Sequence, residues 1–365
     1  MKNSFGNHIC VTLFGESHGP SIGAVLDGLP PGMEIDRAFI ASQLALRRPE
    51  GKTGTARREE DHFSILSGVF EGYTTGTPLA IVIPNENVRS KDYSDTRYLA
   101  RPGHADYTAY AKYHGFEDYR GGGHFSGRIT AALTAAGAVV IPALKKKGIF
   151  LGSHILRCAG ISDRPFDAYL QDVEKLNHTS FAVLDSDAAS AMKDAIVKAA
   201  EEGDSVGGIL ETAVLGIPAG LGEPWFDSME SLLSHALFSI PAVKGVAFGD
   251  AFSMADARGS EFNDPFRMNK DQVVTASNHN GGINGGITNG MPVLFRCMVK
   301  PTPSIFKEQQ TVNFRDKENA VLSLSGRHDP AIIHRARVVV DSMTALVLAD
   351  ILTGRFGTDY LGGKA

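Results

Sequence analysis

The sequence predicts an α+β fold in a single domain that spans residues 1–365, and three observations carry this prediction. Short apolar segments bounded by glycine or proline, such as Ile9 to Phe14 and Pro78 to Ile83, are typical of buried strands. Longer segments that begin at capping residues are typical of helices. The order of elements recurs in the two halves of the chain, which favours one intertwined domain over two separate ones.

The first helix begins and ends at residues with clear local signals. Asp36 is a suitable N-cap, and the following helical spacing turns Ile40 and Leu44 inward. The helix should end at Arg48, because Pro49 disfavours the helical conformation of the residue before it.

Three later segments complete the order of elements. Gly121 to Gly127 is a glycine-rich loop that opens an alanine-rich helix. The polar stretch from Arg164 to Gly203 contains a helix capped near Ser186, and it suits a peripheral insertion. Asp329-Pro330 predicts the start of a core helix that stops at Gly354.

The two halves of the chain share short segments in the same order, which predicts two diverged copies of one unit. The alternative is that a few common strand and turn motifs recur by chance in the two halves. The paired segments are Ser21 to Asp27 with Ser205 to Glu211, Gly76-Thr77-Pro78 with Gly290-Met291-Pro292, and Gly127-Arg128 with Gly326-Arg327.

The composition is that of an ordinary globular protein, with 43% apolar and 21% charged residues. A formal net charge of −5 argues against nucleic-acid binding, which needs a basic surface. Cys10, Cys158 and Cys297 lack C-x-x-C spacing, so we expect neither a disulfide framework nor a thiolate metal site. This use of cysteine is typical of a protein in the reducing cytoplasm. Because no signal-peptide pattern or membrane-length apolar run is found, we expect neither export nor membrane binding.

Three glycine-containing motifs imitate well-known sites. Gly15-Glu16-Ser17-His18-Gly19 matches the nucleophile elbow of serine hydrolases, but too little chain precedes it to build that fold's sheet. Gly51-Lys52-Thr53 resembles the end of a phosphate-binding loop, but Leu46 replaces the required upstream glycine. The run Gly281 to Gly286 does not fit the dinucleotide-binding pattern.

Basic side chains are concentrated in loops, although the chain is acidic overall. Arg101, Arg128 and Arg327 each lie beside glycine, proline or histidine, and guanidinium groups suit carboxylate and phosphate oxygens. These positions predict a small polyanionic substrate, with a solvated surface as the alternative. A further group near the first helix consists of Arg47, Arg48, Lys52, Arg57 and Arg58.

Two histidines lie in tight glycine-flanked loops. They are His18, within Ser17-His18-Gly19, and His104, within Gly103-His104-Ala105-Asp106. A structural hydrogen bond is the commoner role of a single histidine. Two such loops beside arginines favour general acid chemistry, because imidazole can donate protons near neutral pH. No third ligand completes a metal site.

Taken together, the ordered motifs resemble the chorismate synthase family from about Phe5 to Ile351. The motifs are Gly15 to Gly19, Asp27 to Gly32, Arg101 to Asp106, Asp118 to Gly123, Ser277 to Ile283, Lys300 to Ser304 and Gly326 to Pro330.

The resemblance implies a β-α-β sandwich with internal helices covered by outer sheets, assembled as a homotetramer. It implies an anti-1,4-elimination of phosphate and the carbon 6 hydrogen from 5-enolpyruvylshikimate 3-phosphate, with reduced FMN required but not consumed. It leaves open whether NADPH reduces the flavin on this chain or a separate flavin reductase supplies it.

The resemblance also implies roles for three catalytic residues. His18 would protonate the departing phosphate, and His104 would protonate the reduced flavin or hold its anionic form. Asp329 would act through flavin N5, although a helix N-cap is an equally reasonable role for it.

Ligand contacts follow from the same resemblance. For the substrate they are Ser17, Arg47, Arg101 and Arg128, with Arg47 also expected at an NADPH site. For the flavin they are His124, Phe125, Ser126, Pro241, Ala242, Gly285, Lys300, Pro301, Thr302, Pro303, Ser304 and Arg327, of which Arg327 is also expected near the substrate.

The chain departs from the family pattern at two places. An Arg-Ser pair usually follows the triple glycine, whereas this chain has His124-Phe125. Thr53 stands where a further arginine is often found, which weakens the NADPH expectation. The alternatives to the lyase are a serine hydrolase using Ser17 and a non-catalytic FMN-binding protein.

Overall fold

The computed structural model describes residues 3–48, 59–86, 96–324 and 328–362. The helices are α1 Arg37–Leu46, α2 Asp106–Tyr113, α3 Thr130–Lys146, α4 Tyr169–Asn177, α5 Ser186–Glu201, α6 Met229–Leu237, α7 Gly259–Phe262 and α8 Ile333–Phe356. The strands are β1 Ser4–Phe5, β2 Cys10–Gly15, β3 Ser21–Asp27, β4 Ser64–Ser67, β5 Val69–Phe70, β6 Tyr73–Thr74, β7 Leu79–Pro84, β8 Phe150–Cys158, β9 Ile161–Ser162, β10 Gly208–Leu215, β11 Val243–Phe248, β12 Phe266–Asn269, β13 Gln272–Thr275, β14 Ile283–Asn284, β15 Ile287–Thr288, β16 Val293–Val299, β17 Gln309–Asn313 and β18 Glu318–Leu322.

Two five-stranded antiparallel sheets form the outer layers. The first has the order β1-β2-β3-β7-β4 and the second has the order β11-β16-β10-β8-β9. In β7, Leu79, Ile81 and Ile83 are fully buried while the residues between them are half-buried, as expected when one face of a strand packs on the core. Each sheet therefore offers an apolar face to the layer between them.

The two longest helices fill that middle layer. Helix α3 packs along α8, with β3 and β7 on one side and β8 and β10 on the other. Gly137 permits the close approach of these helices, because a Cβ atom there would lie 2.4 Å from the Cβ atom of Ser342. The predicted sandwich of internal helices between outer sheets is confirmed.

The apolar character of α3 follows from its central position. Among the described residues, the segment Gly127–Lys146 is long and apolar enough to cross a membrane by length and composition alone. However, 78% of that segment's apolar window is buried within the protein, as in a core helix.

The recurring order of elements has a counterpart in the topology. Strands β3 and β7 are neighbours in the first sheet, and β10 and β16 are neighbours in the second. Each pair precedes one of the two central helices, α3 or α8, along the chain. The two copies of the unit therefore supply one sheet and one central helix each.

The local signals located one helix end well and misplaced two others. The side chain of Asp36 accepts a hydrogen bond from the Phe39 backbone N–H at 2.8 Å, as predicted for the N-cap of α1. The N-cap prediction for Asp329 is wrong, because α8 begins four residues later. The predicted stop at Gly354 is also wrong: the helix continues to Phe356, and Gly354 instead leaves room for the ring of His8.

The stretch from Arg164 to Gly203 is peripheral, as predicted. Helix α4 covers β8 and β10, and a small apolar cluster forms beneath it. A buried ionic group lies beside this cluster: His154 contacts Asp163 at 2.7 Å and Glu211 at 3.1 Å, and Glu211 also accepts from Arg296 at 2.9 Å. These ion pairs connect three strands of the second sheet to the insertion.

Candidate active site

One cavity of about 830 Å³ opens at the end of the central helices, and most of the predicted site residues line it. Its walls come from several distant segments of the chain, so the fold rather than any single motif assembles it. The predicted residues that line it are Arg47, Arg101, His104, His124, Phe125, Ser126, Arg128, Pro241, Ala242, Lys300, Thr302, Pro303, Ser304 and Asp329.

Five predicted residues do not belong to the described cavity wall. Ser17 and His18 lie behind the glycine loop that forms part of the wall. Pro301 is flanked by lining residues without lining the cavity itself, and Gly285 lies in the β14–β15 turn away from it. Arg327 lies outside the described residues.

The loop from Gly15 to Gly19 is held against the triple glycine. The Ser17 backbone N–H donates to the Gly123 carbonyl at 3.1 Å. The Ser17 hydroxyl lies 3.1 Å from Nδ1 of His18 and is fully buried, which removes it from the position of a hydrolytic nucleophile. The ring of His18 packs against Gly121, where a Cβ atom would lie 2.1 Å from Cε1 of the ring.

His104 belongs to a compact ionic cluster at the start of α2. Its Nδ1 atom lies 3.0 Å from the Asp106 carboxylate, which also accepts from Arg101 Nε at 2.8 Å and Arg101 NH2 at 2.7 Å. Burial alone would raise the pKa of Asp106, but the hydrogen bonds from Arg101 and His104 outweigh it and hold that pKa far below its usual range. Nδ1 also lies 3.1 Å from NH2 of Arg101. With Nδ1 engaged in this cluster, Nε2 is the ring nitrogen left for other contacts.

His124 is oriented by the backbone of the Gly15 to Gly19 loop. Its Nδ1 atom donates to the Gly15 carbonyl at 2.8 Å, because a carbonyl oxygen can only accept. The neighbouring Phe125 ring lines the cavity and meets Tyr113 edge-on at 6.0 Å. These two residues therefore offer one polar and one apolar contact where the family usually has Arg-Ser.

Two buried arginines on the cavity wall are bridged by a carboxylate. Asp61 contacts Arg47 at 3.0 Å and also pairs with Arg128, which lies 2.9 Å from Glu59 as well. Burial lowers the pKa of Arg47 to about 10; the charge of Asp61 opposes this, while those of Arg335 and Arg128 add to it. At this corner of the cavity, Asp61 and Glu59 hold Arg47 and Arg128 in place and partly neutralise their positive charges.

Asp329 pairs with Arg335 of α8 instead of capping the helix. The Nε atom of Arg335 also donates to the Arg47 carbonyl at 2.8 Å. The Asp329 carboxylate thereby lies on the cavity wall beside Arg335.

The opposite wall combines a basic loop with apolar side chains. Lys300 donates to the Gly103 carbonyl, which joins the Lys300–Ser304 loop to the His104 loop. The Thr302 carbonyl accepts from the Ser205 hydroxyl at 2.7 Å, which fixes this loop to the start of β10. The apolar part of the wall is formed by Leu133, Ile240, Ile332, Val339 and Met343.

Four charged residues of the site were not predicted from the sequence. Asp106 belongs to the Arg101 to Asp106 motif, so its position beside two predicted site residues could have indicated it. Glu59 and Asp61 follow the basic run directly, but no local pattern predicted that they would be buried beside arginines. Arg335 carried no local signal. Among the described residues no group of three or more histidine, cysteine or acidic side chains could hold a metal ion.

Comparisons with known proteins agree with this architecture. A family model described as Chorismate synthase matches residues 9–353. Chorismate synthase of Dehalococcoides mccartyi is 46% identical over 352 residues, covering 96% of both chains. That of Methanosarcina acetivorans is 45% identical over 351 residues, covering 95% of both chains.

A solved structure shows the same fold. It is titled "Crystal Structure of Chorismate Synthase" and superposes with a TM-score of 0.76 at 28% identity, covering 97% of this chain and 94% of that one. The match therefore extends over both sheets and both central helices. The chain belongs to the chorismate synthase family.

Proposed function

We propose that the chain is a carbon-oxygen lyase that converts 5-enolpyruvylshikimate 3-phosphate to chorismate, the last common step of the shikimate pathway. The reaction is an anti-1,4-elimination of phosphate from carbon 3 and hydrogen from carbon 6. The observation that carries this proposal is a single cavity with arginines at one end and histidines and a carboxylate on its walls. Such a cavity suits a small substrate with several negative charges.

The substrate's anionic groups would bind at the arginine corner. Arg47 is 5% exposed, and its buried Nε atom has no hydrogen-bond partner among the described residues. A buried donor of this kind is costly unless a ligand completes it. Arg101 would contribute a second guanidinium, oriented by Asp106.

Proton transfer would use the histidines and Asp329. His104 is held at Nδ1 by Asp106, so its Nε2 atom can donate a proton. His18 would serve the leaving phosphate from behind the glycine loop, with Ser17 fixing its ring. Asp329, on the cavity wall, would receive or relay the carbon 6 proton.

The residues of the cavity fit reduced FMN as well. About 830 Å³ is room for a large ligand, and the wall pairs an apolar surface with the basic Lys300 loop. His124, Phe125, Ser126, Pro241, Ala242 and residues 300–304 would hold the group, which supplies an electron-rich ring to the elimination. The protein's own contribution would be orientation, charge and exclusion of water.

Several features of the family extend this proposal. We infer a homotetramer in the cytoplasm, with flavin reduced either by NADPH on this chain or by a separate reductase. Gly285, which lies away from the described cavity, and Arg327 are kept as proposed flavin contacts. Arg47 is kept as the proposed NADPH contact.

Anaerobic incubation with reduced FMN and 5-enolpyruvylshikimate 3-phosphate tests the proposal. We expect equal amounts of phosphate and chorismate to appear, with no net flavin oxidation. A non-catalytic FMN-binding protein would release no phosphate, and a hydrolase would release phosphate without chorismate. Either result would exclude the lyase.

His18→Ala and His104→Ala should each lower turnover by about 10²- to 10⁴-fold, the usual contribution of a general acid. Both proteins should retain the wild-type fold by circular dichroism. Wild-type turnover of either variant at saturating flavin and substrate would remove that histidine from the mechanism.

A further inference from the structure

Asp61 is a single carboxylate that connects two buried arginines of the cavity. One of its oxygens accepts from Arg47 NH2 at 3.0 Å, and the other accepts from Arg128 NH1. Its side chain is 1% exposed. Asp61 also has a positive φ of 54°, which is uncommon for a residue other than glycine and marks a conformation that the surroundings hold in place.

The Arg128 side of this bridge is fixed by the protein. Its Nε atom donates to the Asn85 side chain at 2.9 Å, and NH2 donates to the Pro84 carbonyl at 3.0 Å and lies 2.9 Å from Glu59. All three nitrogens of the guanidinium therefore have protein partners. Arg128 is therefore fixed in place, and its NH1 donor in turn fixes the position of the Asp61 carboxylate.

The Arg47 side of the bridge is open toward the cavity. Arg47 lines the cavity, and its buried Nε–H has no partner among the described residues. Only NH2 of the guanidinium is used by Asp61. Asp61 therefore holds Arg47 through NH2, and the Nε–H donor remains for an anionic ligand.

We propose that Asp61 is a positioning residue, which holds Arg47 in the orientation that binds an anionic group of the substrate. The proposal deepens and rests on the proposed function. Asp61 does not touch the substrate in this account; Arg128 and Asp61 act together as the support of Arg47.

The charges around Arg47 explain why a support is needed. Arg128 and Arg335 both lie near enough to repel it, and burial also disfavours its charged form. Without the Asp61 charge, the guanidinium would lose its nearest counter-charge and move away from the other cations. A ligand would then have to reorganise the group before binding, which weakens affinity.

Calorimetric titration with 5-enolpyruvylshikimate 3-phosphate in the absence of flavin tests this role. Asp61→Asn removes the charge, and Asp61→Glu keeps the charge but displaces the bridging oxygens. We expect dissociation constants about tenfold to a hundredfold larger for Asp61→Asn, the effect of losing one well-placed charged hydrogen bond, and a smaller increase for Asp61→Glu.

Glu59→Gln is the matched control, because it removes one negative charge from the same buried group at a carboxylate that pairs with Arg128. It should weaken binding less than Asp61→Asn. In an Arg47→Ala background, Asp61→Asn should cause little further loss, because its effect passes through Arg47.

Two results would overturn the proposal while leaving the proposed function intact: wild-type affinity in both Asp61 variants, or equal losses in Asp61→Asn and Glu59→Gln. Tighter binding by Asp61→Asn would mean that Asp61 competes with the ligand for the arginines. If Asp61→Asn does not fold, Asp61→Glu and the Arg47→Ala/Asp61→Asn double variant decide the question. If the wild-type protein does not bind the compound either alone or in the presence of FMN, the proposed function and the role of Asp61 are both wrong.

Discussion

Gly121 has no side chain, and the ring of His18 lies where a Cβ atom would be. A side chain at this position should therefore displace His18 and lower turnover. The φ of Gly121, +58°, lies in the left-handed region, and a Cβ atom there would lie 2.1 Å from Cε1 and 2.3 Å from Nδ1 of His18. Gly121→Ala therefore has two separate costs. The backbone conformation should cost about 1–2 kcal/mol, and the imidazole must move by about 1 Å or more.

The displacement of His18 sets the expected size of the effect. A misplacement of about 1 Å can cost 10²-fold in rate, and complete loss of a general acid costs about 10²- to 10⁴-fold. We therefore expect Gly121→Ala to lower the turnover number by at least about a hundredfold. The assay is the anaerobic rate of chorismate formation at saturating reduced FMN and substrate.

Gly148→Ala is the matched control for the backbone cost. Gly148 has a φ of +78° and no atom within 4 Å of a Cβ atom built there. Both variants should therefore show the backbone cost in thermal unfolding, with a larger loss of stability for Gly121→Ala, but only Gly121→Ala should lose turnover. If Gly121→Ala turned over as fast as Gly148→Ala, His18 would not act from the position that the structure gives it.

Four further perturbations test other parts of the structure. Arg337→Ala should lower the free energy of unfolding by about 3–5 kcal/mol in denaturant titrations, because it leaves the buried Asp341 carboxylate without its 3.1 Å partner; a loss below about 1 kcal/mol would contradict this. Burial alone would lower the pKa of His154, but hydrogen bonds to Asp163 and Glu211 outweigh it and raise that pKa above 6.5, so the stabilisation is complete below pH 6.5 and is lost as pH rises through the raised value. The difference in unfolding free energy between wild type and His154→Gln should therefore be larger at pH 6 than at pH 9, and the opposite trend would refute the charged state of His154. Lys300→Ala should weaken FMN binding by about 1–3 kcal/mol in isothermal titration, and His124→Ala should weaken it less; the reverse order would place the flavin phosphate at the other end of the cavity. FMN should bind more tightly in the presence of substrate, and substrate more tightly in the presence of FMN by the same factor, whereas identical affinities would exclude coupling between the two ligands.

The sequence by itself determined the family, the class of fold and fourteen of the residues that line the cavity. Each of these depends on short-range patterns: alternating apolar residues for β7, a capping side chain at Asp36 and glycine-flanked loops at His18 and His104. The physical reason is that strand periodicity, helix caps and tight turns depend on residues within a few positions of one another. Such signals can be recognised in the sequence without knowing which segments pack against each other.

Only the tertiary structure decided which charges meet. The sequence predicted Asp329 as a helix cap, but the side chain pairs with Arg335. Glu59 and Asp61 were not predicted as site residues, but their side chains are buried against Arg128. Whether a carboxylate is exposed or pairs with an arginine depends on which segments the two sheets and the central helices bring together. That long-range arrangement, absent from any local pattern, also placed His18 beside Gly121. It left Arg47 on the cavity wall with an Nε donor that has no partner in the part of the chain that the structure describes.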